Sequence, residues 1–98
     1  MTIHQLLDIT ISKNASDLHL VVGNNPILRV NGELIPIPGT DKLTAQDVEQ
    51  LVFPLISQFQ REVLRSNWEL DFGVDFENKA RFRINIYRQK NSLAAAFR

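Results

Sequence analysis

The arginines near the end of the chain hold the most promising chemistry. From Ala80 to Tyr87 the sequence alternates, with Ala80, Phe82, Ile84 and Ile86 set against Arg81, Arg83, Asn85 and Tyr87. Successive side chains of a strand point to opposite faces, so Arg81 and Arg83 share one face. Arg88 follows them, and Arg98 closes a further stretch that begins near Ser92. Guanidinium keeps its charge and presents a fork of donors, so several arginines on a rigid sheet are suited to gripping phosphate. The same residues also fit a solvated face with cross-strand ion pairs. Arg81 with Asp75 is the first of these, and such a pair is worth about 0.2–1 kcal/mol. On residue types alone the ion-paired face is the simpler reading. Phe72, Phe76 and Phe82 fall in phase with the core, leaving Tyr87 as the aromatic on the wet face. That is a poor stacking platform for nucleic-acid bases.

Other chemistries find less support. The chain has no cysteine, so thiolate metal sites and disulfides are excluded. His4 and His19 are its two histidines. His19 shares a strand face with Asp17, and Ser16 is adjacent, which permits a Ser-His-Asp reading on paper. Local bonding of Ser16 and Asp17 to backbone at a helix-to-strand turn is the simpler account. Asp17 and His19 would supply two metal ligands, but a third is missing from the sequence. No Gly-x-x-x-x-Gly-Lys-Ser/Thr phosphate loop and no Gly-x-Ser-x-Gly elbow occurs.

The elements that must position these residues follow from periodicity. Ile3, Leu6, Leu7 and Ile11 predict a helix over 3–13, with Asn14 as a left-handed stop. Asp17 to Val22 begins as an alternating strand. After the turn cluster Gly23-Asn24-Asn25-Pro26, Ile27 to Val30 predicts a strand and Asn31-Gly32 a hairpin turn. Glu33 to Ile37 is the return strand, which Pro36 and Pro38 confine to an edge. Leu43 to Gln58 predicts a helix opened by Thr44 with Asp47 and divided at Pro54. Its apolar face is Val48, Leu51, Val52 and Leu55. Ser57 with Gln60 predicts a further helix over about 58–66, with Phe59, Val63 and Leu64 facing inward.

Trp68 to Phe76 alternates in the same way as Ala80 to Tyr87. Parity requires the three-residue loop Glu77-Asn78-Lys79. Phe76 then faces Ala80, Phe72 faces Ile84 and Leu70 faces Ile86. On the other face Asp75 meets Arg81 and Asp71 meets Asn85. A two-residue loop would oppose apolar to polar at every step. A last strand runs from about Ser92 to Arg98, where the sequence stops mid-strand, so a continuing polypeptide is expected. The order predicts an α+β domain, PAS-like, with a mostly antiparallel six-stranded sheet and helices packed on one side.

Composition agrees with one soluble domain. The chain has 98 residues, 44% hydrophobic and 22% charged, with eleven basic and eleven acidic side chains. A net charge of zero gives no electrostatic reason to expect a nucleic-acid partner. Met1-Thr2-Ile3-His4 does not look like a secretory leader, and no apolar run approaches membrane-span length.

Three segments, taken in order, resemble a known family. They are Ala15-Ser16-Asp17-Leu18-His19-Leu20, Pro26-Ile27-Leu28-Arg29-Val30-Asn31-Gly32, and Ala80-Arg81-Phe82-Arg83-Ile84-Asn85-Ile86-Tyr87-Arg88-Gln89 leading to Phe97-Arg98. Their pattern and spacing resemble the N-terminal domain of type IV pilus retraction (twitching-motility) ATPases, relatives of the type II secretion ATPases. The resemblance covers essentially the whole chain.

It implies a PAS-like N-terminal domain over residues 1–98, separate from a RecA-like ATPase domain that this sequence lacks. It also implies a homo-hexameric ring in the bacterial cytoplasm, held near the inner membrane through the pilus machine. The implied partners are the RecA-like domains of the same and neighbouring subunits and an inner-membrane protein at the pilus base. ATP and Mg2+ belong to the intact protein, and no cofactor is expected for these residues alone. Arg83 and Arg98 match the arginines that reach ATP phosphates, with Arg81 as a third candidate, and their implied role is to sense γ-phosphate charge. Asp17 and His19 match a Ser-Asp-Leu-His signature of structural or interfacial character. No catalytic residue is expected here, and hydrolysis needs motifs found elsewhere in the family. The short N-terminus favours the retraction branch over extension or secretion relatives. The alternative is a stand-alone PAS-like ligand sensor or protein-interaction module.

Overall fold

Each α-helix opens on a reciprocal cap. In a computed structural model describing residues 1–98, these helices are α1 (Ile3–Ser12), α2 (Ala45–Val52) and α3 (Gln58–Asn67). Thr2 with Gln5, Thr44 with Asp47, and Ser57 with Gln60 each exchange side-chain and backbone hydrogen bonds. Each box satisfies two orphan N–H groups at a helix start, and losing the capping hydroxyl costs about 0.5–2 kcal/mol. Asn14 takes a left-handed φ of 52° just beyond α1, as its side chain allows. Pro54 ends α2 as expected, and the chain continues through a 3-10 turn over Phe53–Leu55.

Six strands form one sheet: β1 (Asp17–Leu20), β2 (Ile27–Val30), β3 (Glu33–Pro36), β4 (Glu69–Phe76), β5 (Ala80–Gln89) and β6 (Ser92–Phe97). Their order across the sheet is β3-β2-β1-β6-β5-β4, and every neighbouring pair is antiparallel. The α+β architecture with a six-stranded antiparallel sheet is therefore as the sequence predicts. Asn31 and Gly32 have φ of 51° and 82°, the left-handed pair that a two-residue hairpin needs between β2 and β3. The β4–β5 register also matches the parity argument. Phe76 pairs with Ala80, Phe72 with Ile84, Leu70 with Ile86 and Asp75 with Arg81.

One sheet face carries the core. Leu18, Leu20, Leu28, Phe82, Ile84, Ile86, Ala95 and Phe97 are buried there against Leu6, Leu7, Val48, Val52 and Leu64 of the helices. Phe82 makes edge contacts with Phe76 and Phe97 at centroid distances of 6.3 and 6.4 Å. The central strand β6 is small and apolar through Ala94, Ala95 and Ala96, all buried. Leu70 and Phe72 lie on the edge strand and are only half-buried.

Several expected boundaries shift. Val21, Val22 and Ile37 fall outside the strands, and α2 begins at Ala45 and ends before Pro54. Trp68 does not open β4. It terminates α3 in a left-handed conformation, φ 60°, and Arg88 stacks on its ring at 3.8 Å. Phe59 does not face inward, being 73% exposed. At 3.6 residues per turn it points about 140° away from Leu64, which holds the buried side of α3.

Candidate anion-binding face

The sheet face opposite the core displays the charged residues. Strand alternation sends Phe82, Ile84 and Ile86 into the core and therefore Arg81, Arg83 and Asn85 outward. Arg98 joins them because the ladder runs one residue beyond β6. The Arg83 amide donates to the Arg98 carbonyl at 2.8 Å, and the Arg98 amide returns the bond at 2.8 Å. Arg81, Arg83 and Arg98 line one shallow cleft of about 450 Å³ with Asp71, Phe72, Gly73 and Phe82. The structure thus brings together all three arginines singled out in the sequence. Arg88 does not join them, because its parity places it on the other face beside Trp68.

Both strand arginines are engaged by carboxylates of β4. Arg81 NH1 donates to Asp75 Oδ1 at 2.8 Å. Arg83 Nε and NH2 donate to the two oxygens of Asp71 at 3.1 and 3.3 Å. This fork holds the Arg83 guanidinium even more firmly protonated than usual, through the Asp71 hydrogen bonds first and its charge second. Arg98 makes no ion pair. Asp71 stands opposite Asn85 in register, as predicted, yet its bonds run diagonally to Arg83. Asn85 instead donates to Glu69 at 3.4 Å.

Gly73 makes room for this arrangement. It lies across from Arg83, and the Arg81 guanidinium passes over it. A Cβ at that position would meet Arg81 NH2 at 2.6 Å. The sequence shows a glycine inside a strand but gives no sign of which side chain uses the space.

Asp17 and His19 sit on the same face of β1. His19 Nε2 is 3.3 Å from Asp17 Oδ2, and Arg29 Nε approaches that oxygen at 3.7 Å. The Ser16 hydroxyl donates to the Arg29 carbonyl at 3.4 Å, a bond across to β2 in place of the local turn bonding expected of it. No group of three or more His, Cys, Asp or Glu side chains converges into a metal site.

No family model matches the sequence. The type IV pilus retraction ATPase PilT of Pseudomonas aeruginosa is 34% identical over 98 residues, all of this chain and 28% of that protein. A crystal structure of the pilus retraction motor PilT with bound ADP superposes with a TM-score of 0.91 at 32% identity, covering 100% of this chain and 29% of that one. The Legionella pneumophila ATPase DotB shares the fold, with a TM-score of 0.80 at 22% identity over 100% of this chain and 29% of its own. The chain therefore spans under a third of the length of the relatives it matches. Along its whole length it is similar to the type IV pilus ATPases. More narrowly, it is kin to the N-terminal region of the type IV pilus retraction, or twitching-motility, ATPases, as its three motifs imply.

Proposed function

We propose that this chain is the N-terminal, PAS-like regulatory and interface domain of a hexameric cytoplasmic ATPase that powers type IV pilus retraction. On this reading Arg83, Arg98 and Arg81 reach the phosphates of ATP held by the RecA-like domain of the same or a neighbouring subunit. The observation that carries the reading is that three arginines line one cleft, on the sheet face that the helices leave uncovered. Guanidinium forks suit phosphate oxygens in number and geometry, and a rigid ladder fixes their spacing. Arg98 adds a charge that no carboxylate of this chain neutralises.

The residues present fit phosphate and do not themselves gather a metal site, so the ligands of Mg2+ would come from the ATPase domain. Phosphoryl chemistry would also belong to that domain, because this chain lacks the phosphate loop. No helix here is long and apolar enough to cross a membrane. Attachment to the pilus base would then run through an inner-membrane protein partner.

The test uses the intact protein. Arg83→Ala or Arg98→Ala should lower ATP turnover by at least about tenfold, a full arginine finger being worth about 10³–10⁵. The melting temperature should stay near the parent's, since both side chains are on the solvent face. Unchanged turnover in both variants would end the phosphate-contact role.

A further inference from the structure

Asp71 lies on this face and the phosphate-contact reading does not use it. It holds Arg83 through both carboxylate oxygens at 3.1 and 3.3 Å. That takes the side-on fork of Nε and NH2, one of the two forks with which a guanidinium can grip phosphate. Arg83 therefore cannot present that fork to an anion while Asp71 keeps it, and its end-on donors stay beside a carboxylate that repels the anion. Its neighbour Arg81 is held by one bond, to Asp75 at 2.8 Å, which leaves other guanidinium donors free. Arg98 has no carboxylate partner. The cleft thus contains one open arginine, one held by a single bond and one whose side-on fork is taken.

The pairs are also easy to break. The Arg83 and Asp71 side chains are 76% and 45% exposed, and solvent screens a pair in that setting. A polyanion entering the cleft offers more negative charge than one carboxylate and meets Arg98 at the same time. Exchange of Arg83 from Asp71 to such an anion is then favourable, while a solvent chloride does not achieve it.

We infer that Asp71 is a positioning residue, a carboxylate latch that parks Arg83 in the empty domain and surrenders it to a polyphosphate entering the cleft. This rests on the phosphate-contact reading and adds a threshold to it. Asp71 offsets one of the three like charges on the bare face, as Asp75 offsets another. It also makes the cleft selective for ligands carrying several negative charges. A single phosphate gains less than the latch gives up, whereas a triphosphate gains more.

The experiment titrates the 98-residue chain with inorganic tripolyphosphate and with inorganic orthophosphate at low salt, following arginine side-chain NMR resonances. Asp71→Asn keeps the shape and removes the charge. It should tighten tripolyphosphate binding by about three- to tenfold and narrow the preference for tripolyphosphate over orthophosphate. Adding Arg83→Ala to it should abolish the gain. Asp71→Ser serves as a second removal of the carboxylate, and retained amide dispersion certifies the fold of each variant.

If both Asp71 variants bind tripolyphosphate as the parent does while Arg83→Ala weakens it, the latch is wrong and the phosphate reading stands. If Arg83→Ala and Arg98→Ala bind as the parent does, the phosphate reading fails and takes the latch with it. Absence of binding by the parent and by Asp71→Asn alike would also overturn the latch, because unparking Arg83 must expose affinity for the anion.

Discussion

Replacing Gly73 by alanine should move Arg81 while leaving the sheet intact. The added Cβ would lie 2.6 Å from Arg81 NH2, 3.2 Å from its Cζ and 3.4 Å from its Nε. The obstacle is the free end of a flexible side chain, so the guanidinium swings aside and the backbone of β4 stays in place. The loss is bounded by the Arg81–Asp75 pair, whose side chains are 68% and 73% exposed. A pair that exposed is worth about 0.2–1 kcal/mol. Against it stands the smaller entropy of the unfolded chain when glycine becomes alanine, a gain of about 0.4–1 kcal/mol. The two terms offset to within about 1 kcal/mol, or a melting shift under about 8 °C for a domain of this size. Circular-dichroism melting supplies the shift, and arginine side-chain NMR should show Arg81 displaced with Arg83 little changed. A loss beyond about 2 kcal/mol would mean that β4 itself has to move. An unchanged Arg81 resonance would mean that the guanidinium does not lie over Gly73. Either result refutes the reasoning.

Other perturbations probe the scaffold. Phe82→Ala removes a buried ring with two edge contacts and should cost about 3–5 kcal/mol in urea unfolding. A midpoint close to the parent's would show that the strand faces are misassigned. Asp47 is held below its usual value, 3.8, chiefly by the hydrogen bond from the Thr44 backbone amide. A lowered carboxylate stabilises above its unfolded value and loses that contribution as pH falls through the folded one. Below about pH 4 the parent's melting temperature should therefore fall more steeply with acid than that of Asp47→Asn. Equal slopes would remove Asp47 from the acid response.

Local signals in the sequence carried much of this fold. The boxes at Thr44 with Asp47 and Ser57 with Gln60 are spaced three residues apart and need no tertiary context. The β4–β5 register followed from period-two alternation, because any slip by one residue would have turned Phe72 and Phe82 to solvent. Parity also placed Arg81 and Arg83 on a common face. It could not place Arg83 on Asp71, since alternation names the residue directly opposite, and a long arginine reaches the diagonal one. Trp68 departs from the expectation because an aromatic before an alternating run resembles strand, whereas the left-handed end of α3 claims it. Phe59 departs from it because its hydrophobicity suggests burial, whereas the helical phase that Leu64 sets turns it to solvent. The use of Gly73 depends on which side chain crosses it, which appears only in three dimensions.

The seam between β1 and β6 ties the fold to the direction of synthesis. Leu18 stands opposite Phe97 and Leu20 opposite Ala95, so the earliest strand waits for the latest. Before β6 arrives, β1 to β3 and β4 with β5 are two separate hairpin assemblies, each with an open inner edge. Inserting β6 closes both edges at once and spans most of the chain, a contact of high sequence separation that slows folding. A nascent chain would then stay exposed to unwanted edge pairing until its final strand has been made. The arrangement has a useful side. Arg98 reaches its place beside Arg83 through that same closure, so a half-made domain cannot display the three-arginine cleft.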